Sequence, residues 1–343
     1  MRGRELIFGA VAVLLLLGYV LVGARYAAIV GPADPPTPTP TMPARPVDAP
    51  RLPGAIAFVI RGDVFVLRDG AYAAQTSEGR SLQPDLSRDG RTLVFARQEQ
   101  IDGRRIVDGQ ATPARLRYTS VMRKASTGGI EGILLDGLRL RQQSGFHLVS
   151  WYFGPAQSPD GARLAYVEDD GGGASDLVVL DIASRRRLVL TAGRDLADAA
   201  WSPDGRTIAT TTYGEEGVGV ALWSAERAAA PMRPTLAEGE AYSPSFSPDG
   251  RWLLYTLRRD GRNDLRAFEL ATGRDVALTD DGRSWHGAFS PDGRYVAFLR
   301  EGGGSLDVHA MELGDVLSGG APRATIRLTH GGVDGASRPS WGR

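Results

Sequence analysis

The sequence contains no cysteine. That excludes a disulfide framework, thiolate metal sites, a cysteine nucleophile and a lipidated N-terminal cysteine. An excess of charge of either sign is also lacking: 40 Lys and Arg balance 40 Asp and Glu. A nucleic-acid binder draws its affinity mainly from a basic surface, so that class is disfavoured. Histidine is scarce, with only His147, His286, His309 and His330, and no HxxxH or HExxH spacing occurs. A zinc-type site has no support from such a pattern, and no metal or other cofactor is expected. Helical periodicity is missing after residue 53.

Glycine is abundant instead, 44 of 343 residues, close to twice the usual share of about 7%. Without a collagen period this points to many tight turns. At about 100–200 residues per domain, the length allows two or three domains or one large repeat architecture.

The N-terminus differs from the rest. Arg2 and Arg4 lie within residues 1–5, and residues 6–22 carry no charge. Extended to residue 30, the apolar stretch exceeds the roughly 20 residues that cross a bilayer, with Arg25 able to snorkel. The leading arginines predict a cytoplasmic N-terminus over 1–5 and a transmembrane signal-anchor over 6–30, with the remainder extracytoplasmic. The competing reading is a signal peptide cleaved near Val22-Gly23-Ala24, leaving a secreted protein. Residues 31–53 hold nine prolines and form a Pro/Thr-rich linker, unable to pack a core.

Residues 54–343 repeat. Ser158-Pro159-Asp160-Gly161 recurs at Ser202, Ser247 and Ser290, at intervals of 44, 45 and 43 residues, and Ser87-Arg88-Asp89-Gly90 is a degenerate copy 71 residues earlier. Pro sets φ for a turn, Asp bonds the backbone that follows and Gly supplies positive φ at the exit. Each phrase is followed by short β-rich runs, such as 164–167 and 177–182. Four-strand units of 40–45 residues predict a β-propeller. Residues 56–60 read as a second strand with no turn phrase before them, while Arg338-Pro339-Ser340-Trp341-Gly342 aligns with Ser243-Pro244-Ser245-Phe246-Ser247. The last strand should therefore complete the first blade, closing a ring of six.

The SPDG phrase and its apolar strand resemble the PD40 (WD40-like) repeat of TolB-type propellers, and are similar to propellers joined to prolyl-oligopeptidase-type peptidases. The resemblance covers 54–343 and implies a fold rather than an activity. TolB-type proteins carry an α/β domain ahead of the propeller, where this chain has the apolar segment and linker. The peptidases carry a hydrolase domain, and no G-x-S-x-G is present. Neither Pal binding nor peptidase activity is carried over.

Insertions in the 71-residue interval, 98–114 and 136–149, should project from the face opposite the SPDG turns. Loops on a rigid scaffold concentrate binding residues, and these are basic: Arg104, Arg105, Arg115, Arg117, Arg123, Arg139 and Arg141. They suit an acidic partner or anionic lipid headgroups, although solvated loops would look the same. Trp201, Phe246, Phe289 and Trp341 read as packing between blades. Trp151, Tyr152, Tyr242 and Trp285 fall near the central mouth, as a ligand floor or as buried packing; His286 is a further binding candidate, and three of the four histidines fall in or near blade connections on the insertion-bearing face. The aspartates of SPDG, and those of 169–171 and 280–282, read as turn residues. The expected function is a membrane-tethered, extracytoplasmic, non-enzymatic module of the cell envelope that binds a protein or peptide. One alternative is a small-ligand sensor or hydrolase-like enzyme at the axial mouth. Another is an accessory subunit of an envelope transport or secretion complex.

Overall fold

The computed structural model describes residues 51–107, 110–141, 146–171, 174–215, 217–321 and 324–343, with backbone only at 105–107, 111, 139–141 and 146–148. The anchor expected over 6–30 and residues 31–50 of the linker lie outside the described residues. Among the described residues no helix is long and apolar enough to cross a membrane.

Six antiparallel sheets follow one another along the chain. Blade 1 orders Ser340–Gly342, Ala55–Ile60, Asp63–Arg68 and Ala71–Ala74 from inside outward. Blade 2 holds Ser81–Leu86, Thr92–Val107, Gln110–Ala125 and Gly128–Leu135. The innermost strands of blades 3 to 6 are Trp151–Gln157, Asp195–Trp201, Glu240–Phe246 and Ser284–Phe289. Blade 4 has three regular strands, and a single bridge from Leu222 to Met232 marks where its fourth would lie.

The ring follows from strand periodicity. Successive side chains of a strand point to opposite faces, so each blade feeds two interfaces. Ile56, Phe58 and Ile60 pack against Ala297 and Leu299 of blade 6. Ala55, Ala57 and Val59 pack against Leu93 and Phe95 of blade 2. Six apolar clusters result, one for each successive pair of blades, including the pair of blades 6 and 1. Trp201, Phe246, Phe289 and Trp341 sit in or against four of them, as interblade packing requires.

The SPDG turns share one hydrogen-bond pattern. Ser202 Oγ bonds Asp204 Oδ1 at 2.5 Å and accepts the Thr207 N–H at 2.9 Å. Asp204 Oδ1 also accepts the Arg206 N–H at 3.0 Å, and Gly205 turns at φ 69°. The hydroxyl of the turn serine, with the N–H two residues on, holds the carboxyls of Asp89, Asp160 and Asp204 below their ordinary range. These aspartates are turn residues. Ser202→Ala removes two bonds and should cost about 1–2 kcal/mol, read as a shift of the urea midpoint at unchanged slope.

The opposite face is braced by a second pattern. Asp63, Asp176, Asp264 and Asp307 open third strands, and each accepts Thr76, Thr191, Thr279 or Thr329 at 2.9–3.1 Å. The same carboxylates take the N–H of Gly79, Gly193, Gly282 or Gly331. The Asp280-Asp281-Gly282 phrase is therefore a structural turn.

Candidate functional site

Among the described residues no such Asp–Thr brace is seen in blade 2, and there the chain extends. The 98–114 segment, expected as a loop between strands, is strand at 98–107 and 110–114: Thr92–Val107 and Gln110–Ala125 pair from Thr92–Ala125 to Val107–Gln110. At about 3.4 Å per residue, the hairpin reaches on the order of 30 Å beyond Arg97. Residues 136–149 likewise contain a hairpin, Leu138–Arg141 with Phe146–Val149.

The roots of the two hairpins lock together. Thr119 N–H donates to Ser150 O at 3.3 Å and Ser150 N–H to Gly137 O at 2.8 Å. A Cβ on Gly137 would stand 2.2 Å from Thr119 O, so this approach requires glycine.

Register sorts the arginines. Asp102 faces Arg115, Gln100 faces Arg117 and Arg104 faces Pro113. Alternation places Arg104, Arg115 and Arg117 on one side of the ribbon, while Ile101 pairs with Leu116 on the other. All three arginines are exposed, and Arg115 Nε meets Asp102 Oδ1 at 2.9 Å. Arg105 belongs to the ribbon by backbone pairing, and its side chain lies outside the described set.

The aromatic candidates do not gather into one floor. Tyr152 is 2% exposed, enclosed between blades 2 and 3 with its ring 5.4 Å from Tyr166. Trp285 donates Nε1 to Gly335 O at 3.2 Å and packs on the cluster between blades 6 and 1. Trp151 lies 3.8 Å from the Cβ position of Gly171. Tyr242 and His286 meet directly, edge to face at 5.8 Å.

His286 belongs to a constellation not read from the sequence. Five innermost strands are bulged, with Gln83, Gly154, Asp198, Ser243 and His286 at φ 50–56°. Each stands four residues before a turn serine, and Arg338 stands four before Gly342. That constant offset was the available signal. Arg338 crosses the axis, donating to Pro244 O and, at 3.2 Å, to Ala199 O. Asp85, two residues after its bulge, accepts the Gln157 N–H at 2.9 Å and Ser340 Oγ at 3.2 Å. Burial pushes its carboxyl up to about 6, against the Gln157 N–H and the Arg338 charge. Burial pushes the His286 imidazole down to about 4, with Asp198 opposing and Arg338 reinforcing. His286 Nδ1 and Ser243 Oγ make no hydrogen bond, so a serine–histidine nucleophile pair is not assembled.

His309 lies inside the strand Ser305–Glu312, within the run 306–313 that reads as a strand in the sequence, and is stacked on Phe298 at 6.0 Å. The side chain of His147 lies outside the described set.

Against known proteins, the chain is similar to a "Protein TolB homolog" of Chlorobium chlorochromatii, 30% identical over 139 residues, 40% of this chain and 30% of that protein. A second, from Chlorobium luteolum, is 32% identical over 120 residues, 35% of this chain and 27% of that protein. The matched stretch is thus under a third of either relative's length. Among solved structures, TolB from Acinetobacter baumannii aligns with a TM-score of 0.63 at 18% identity, covering 95% of this chain and 71% of that one. A TolB-assigned protein from Agrobacterium tumefaciens aligns at 0.60 and 18% identity, covering 83% and 92%. These structural likenesses establish the propeller fold. Residues 136–329, more than half of the sequence, match the family described as "TolB beta propeller domain", PD40, and the chain belongs to that family.

Proposed function

We propose that the chain is a non-enzymatic binding module of the cell envelope, carried outside the cytoplasm and tethered by residues 6–30 through the linker 31–53. The propeller then presents the face bearing the hairpins to a protein or peptide partner. One observation carries the reading: a paired ribbon of arginines, Arg104, Arg115 and Arg117, raised on a rigid root beside a second hairpin. Arginine forks suit carboxylates, and the ribbon's ordered register presents them in a row. The partner is therefore an acidic protein segment. Membership of the TolB propeller family supports a binding role, and the SPDG face is occupied by its own turns. There Pro203 lies 3.1 Å from the Cβ position of Gly250.

The axial-ligand alternative has one observation in its favour, the unpartnered His286 Nδ1 and Ser243 Oγ. Arg338, reaching across the same channel, opposes it.

The test places a photocrosslinking residue at Arg117 or, on the SPDG face, at Arg206, in the full chain in its native envelope. Crosslinks to one protein from position 117 and none from 206 are expected. Charge reversal of Arg104, Arg115 and Arg117 together should weaken capture at least about tenfold and remove its salt dependence. Crosslinks from 206 alone, or capture indifferent to the reversal, reject the ribbon as the binding element.

A further inference from the structure

Where blade 1 passes into blade 2, a cavity of about 200 Å³ opens on the same face, at the foot of the long hairpin. Ala74, Gln75, Thr76, Ser77 and Glu78 form one wall, and Arg97 and Glu131 form the other. Gln75 and Arg97 are 7% and 9% exposed. Each nevertheless leaves a polar atom unused, for Gln75 Oε1 and Arg97 Nε have no hydrogen-bond partner. Buried polar atoms are nearly always satisfied, and both of these belong to side chains that line the cavity.

The charges inside are layered. Arg97 pairs with Glu131, and Lys124 Nζ lies 3.5 Å from the same carboxylate while donating to Gln75 O at 2.7 Å. Two enclosed cations thus share one anion, leaving the interior one positive charge in excess. The outer wall has the reverse balance, since Arg80 is shared between Glu78 and Glu99. Arg97 is further fixed with its guanidinium 5.5 Å from the Phe95 ring, and the Gln75 amide by its Nε2 against Ala73 O at 3.4 Å.

A complementary ligand carries an anionic acceptor for Arg97 and an N–H donor for Gln75 and Glu78. The volume holds about seven waters at roughly 30 Å³ each. That is the size of a small amino acid and less than a drug-sized pocket of about 300 Å³ or more. We propose that this cavity binds an α-carboxylate with an adjacent N–H group, as found in a free small amino acid or at the C-terminal residue of a peptide. The site does not depend on the arginine ribbon, which begins beyond it.

The probes are glycine, L-alanine, L-serine and L-glutamate for the free form, and N-acetyl-glycine and glycylglycine for the chain-end form. Acetate and methylammonium carry half of the chemistry each. Titration calorimetry and thermal melting of the full chain should show saturable, one-to-one binding of at least one probe from the first two groups. Acetate and methylammonium should bind at least about tenfold more weakly. Arg97→Met keeps Lys124 beside Glu131, Gln75→Met keeps the backbone carbonyl that Lys124 holds, and each should weaken binding about tenfold or more. Arg115→Ala, on the ribbon, should leave it unchanged. If Arg97→Met does not fold by circular dichroism, Gln75→Met decides. No binding by any amino acid or peptide probe at 10-millimolar order, or binding indifferent to the variants that fold, overturns the proposal. The stronger of the two probe groups identifies the source.

Discussion

Trp341→Ala should lower stability by about 3–5 kcal/mol, the range for emptying a buried indole site. At a few degrees per kcal/mol for a domain of this size, the melting temperature should fall by roughly 10 °C. The last strand, Ser340–Gly342, pairs with Ala55–Ile60 and closes the seam of the ring in blade 1's sheet, with a further bridge from Ile60 to Val333. Trp341 lies in the cluster of Ile56, Phe58, Tyr295 and Ala297, and its Nε1 donates to Pro53 O at 2.6 Å. Ser340 Oγ receives the Leu86 N–H at 2.9 Å, so the strand also grips blade 2. Deleting 340–343 should be more severe, since it also bares the edge of Ala55–Ile60 and invites strand pairing between molecules. Thermal melts and light scattering read both effects. Melting of the deletion within about 2 °C of the parent would show that the seam is held elsewhere.

The pH dependence of stability should change most with Asp85→Asn. The Asp85 carboxyl is pushed up to about 6 in the fold, from about 3.9 in an unfolded chain. Its contribution is therefore fully present below about pH 4 and is lost as pH rises through 6. His286, pushed down to about 4 from about 6.5, acts oppositely: its contribution is present above about pH 6.5 and lost as pH falls through 4. Each amounts to about 3 kcal/mol, so in the parent chain they nearly cancel. His309, also pushed down to about 4 by burial, adds a smaller share because solvent screens it. A shallow rise of stability between pH 4 and 6.5 is the expected result. Asp85→Asn keeps an acceptor for the Gln157 N–H and removes the opposing limb. Stability at pH 7 should rise by up to about 3 kcal/mol, and the slope below it should steepen by a similar amount. Urea midpoints at several pH values test this, and a loss of stability at pH 7 would show Asp85 to be needed as an anion beside Arg338.

The blade count was legible because the turn chemistry is local. Ser, Pro, Asp and Gly act within a few residues, and every copy makes the same bonds. The hairpin was misread for an equally local reason. Gly103 and Pro113 look like loop punctuation, yet each is tolerated in a ribbon: proline is confined to strand edges, and a two-stranded ribbon has two. Its alternation of Ile101 and Leu116 against Asp102 and Arg115 was present, but short. The cavity was less visible still, since Gln75, Arg97 and Glu131 lie on three separate strands or connections and share no motif.

Sequence alone was enough for the repeat, the turn geometry, the strand that closes the ring and the face on which the insertions emerge. Each of these rests on φ preferences, alternation and chain order, which neighbouring residues set among themselves. Folding was needed to place Arg338 across the axis, to raise the Asp85 carboxyl and depress the His286 imidazole, and to leave Gln75 and Arg97 facing one cavity. Those properties depend on burial and on charges brought together from distant blades, so they exist only once the ring has closed.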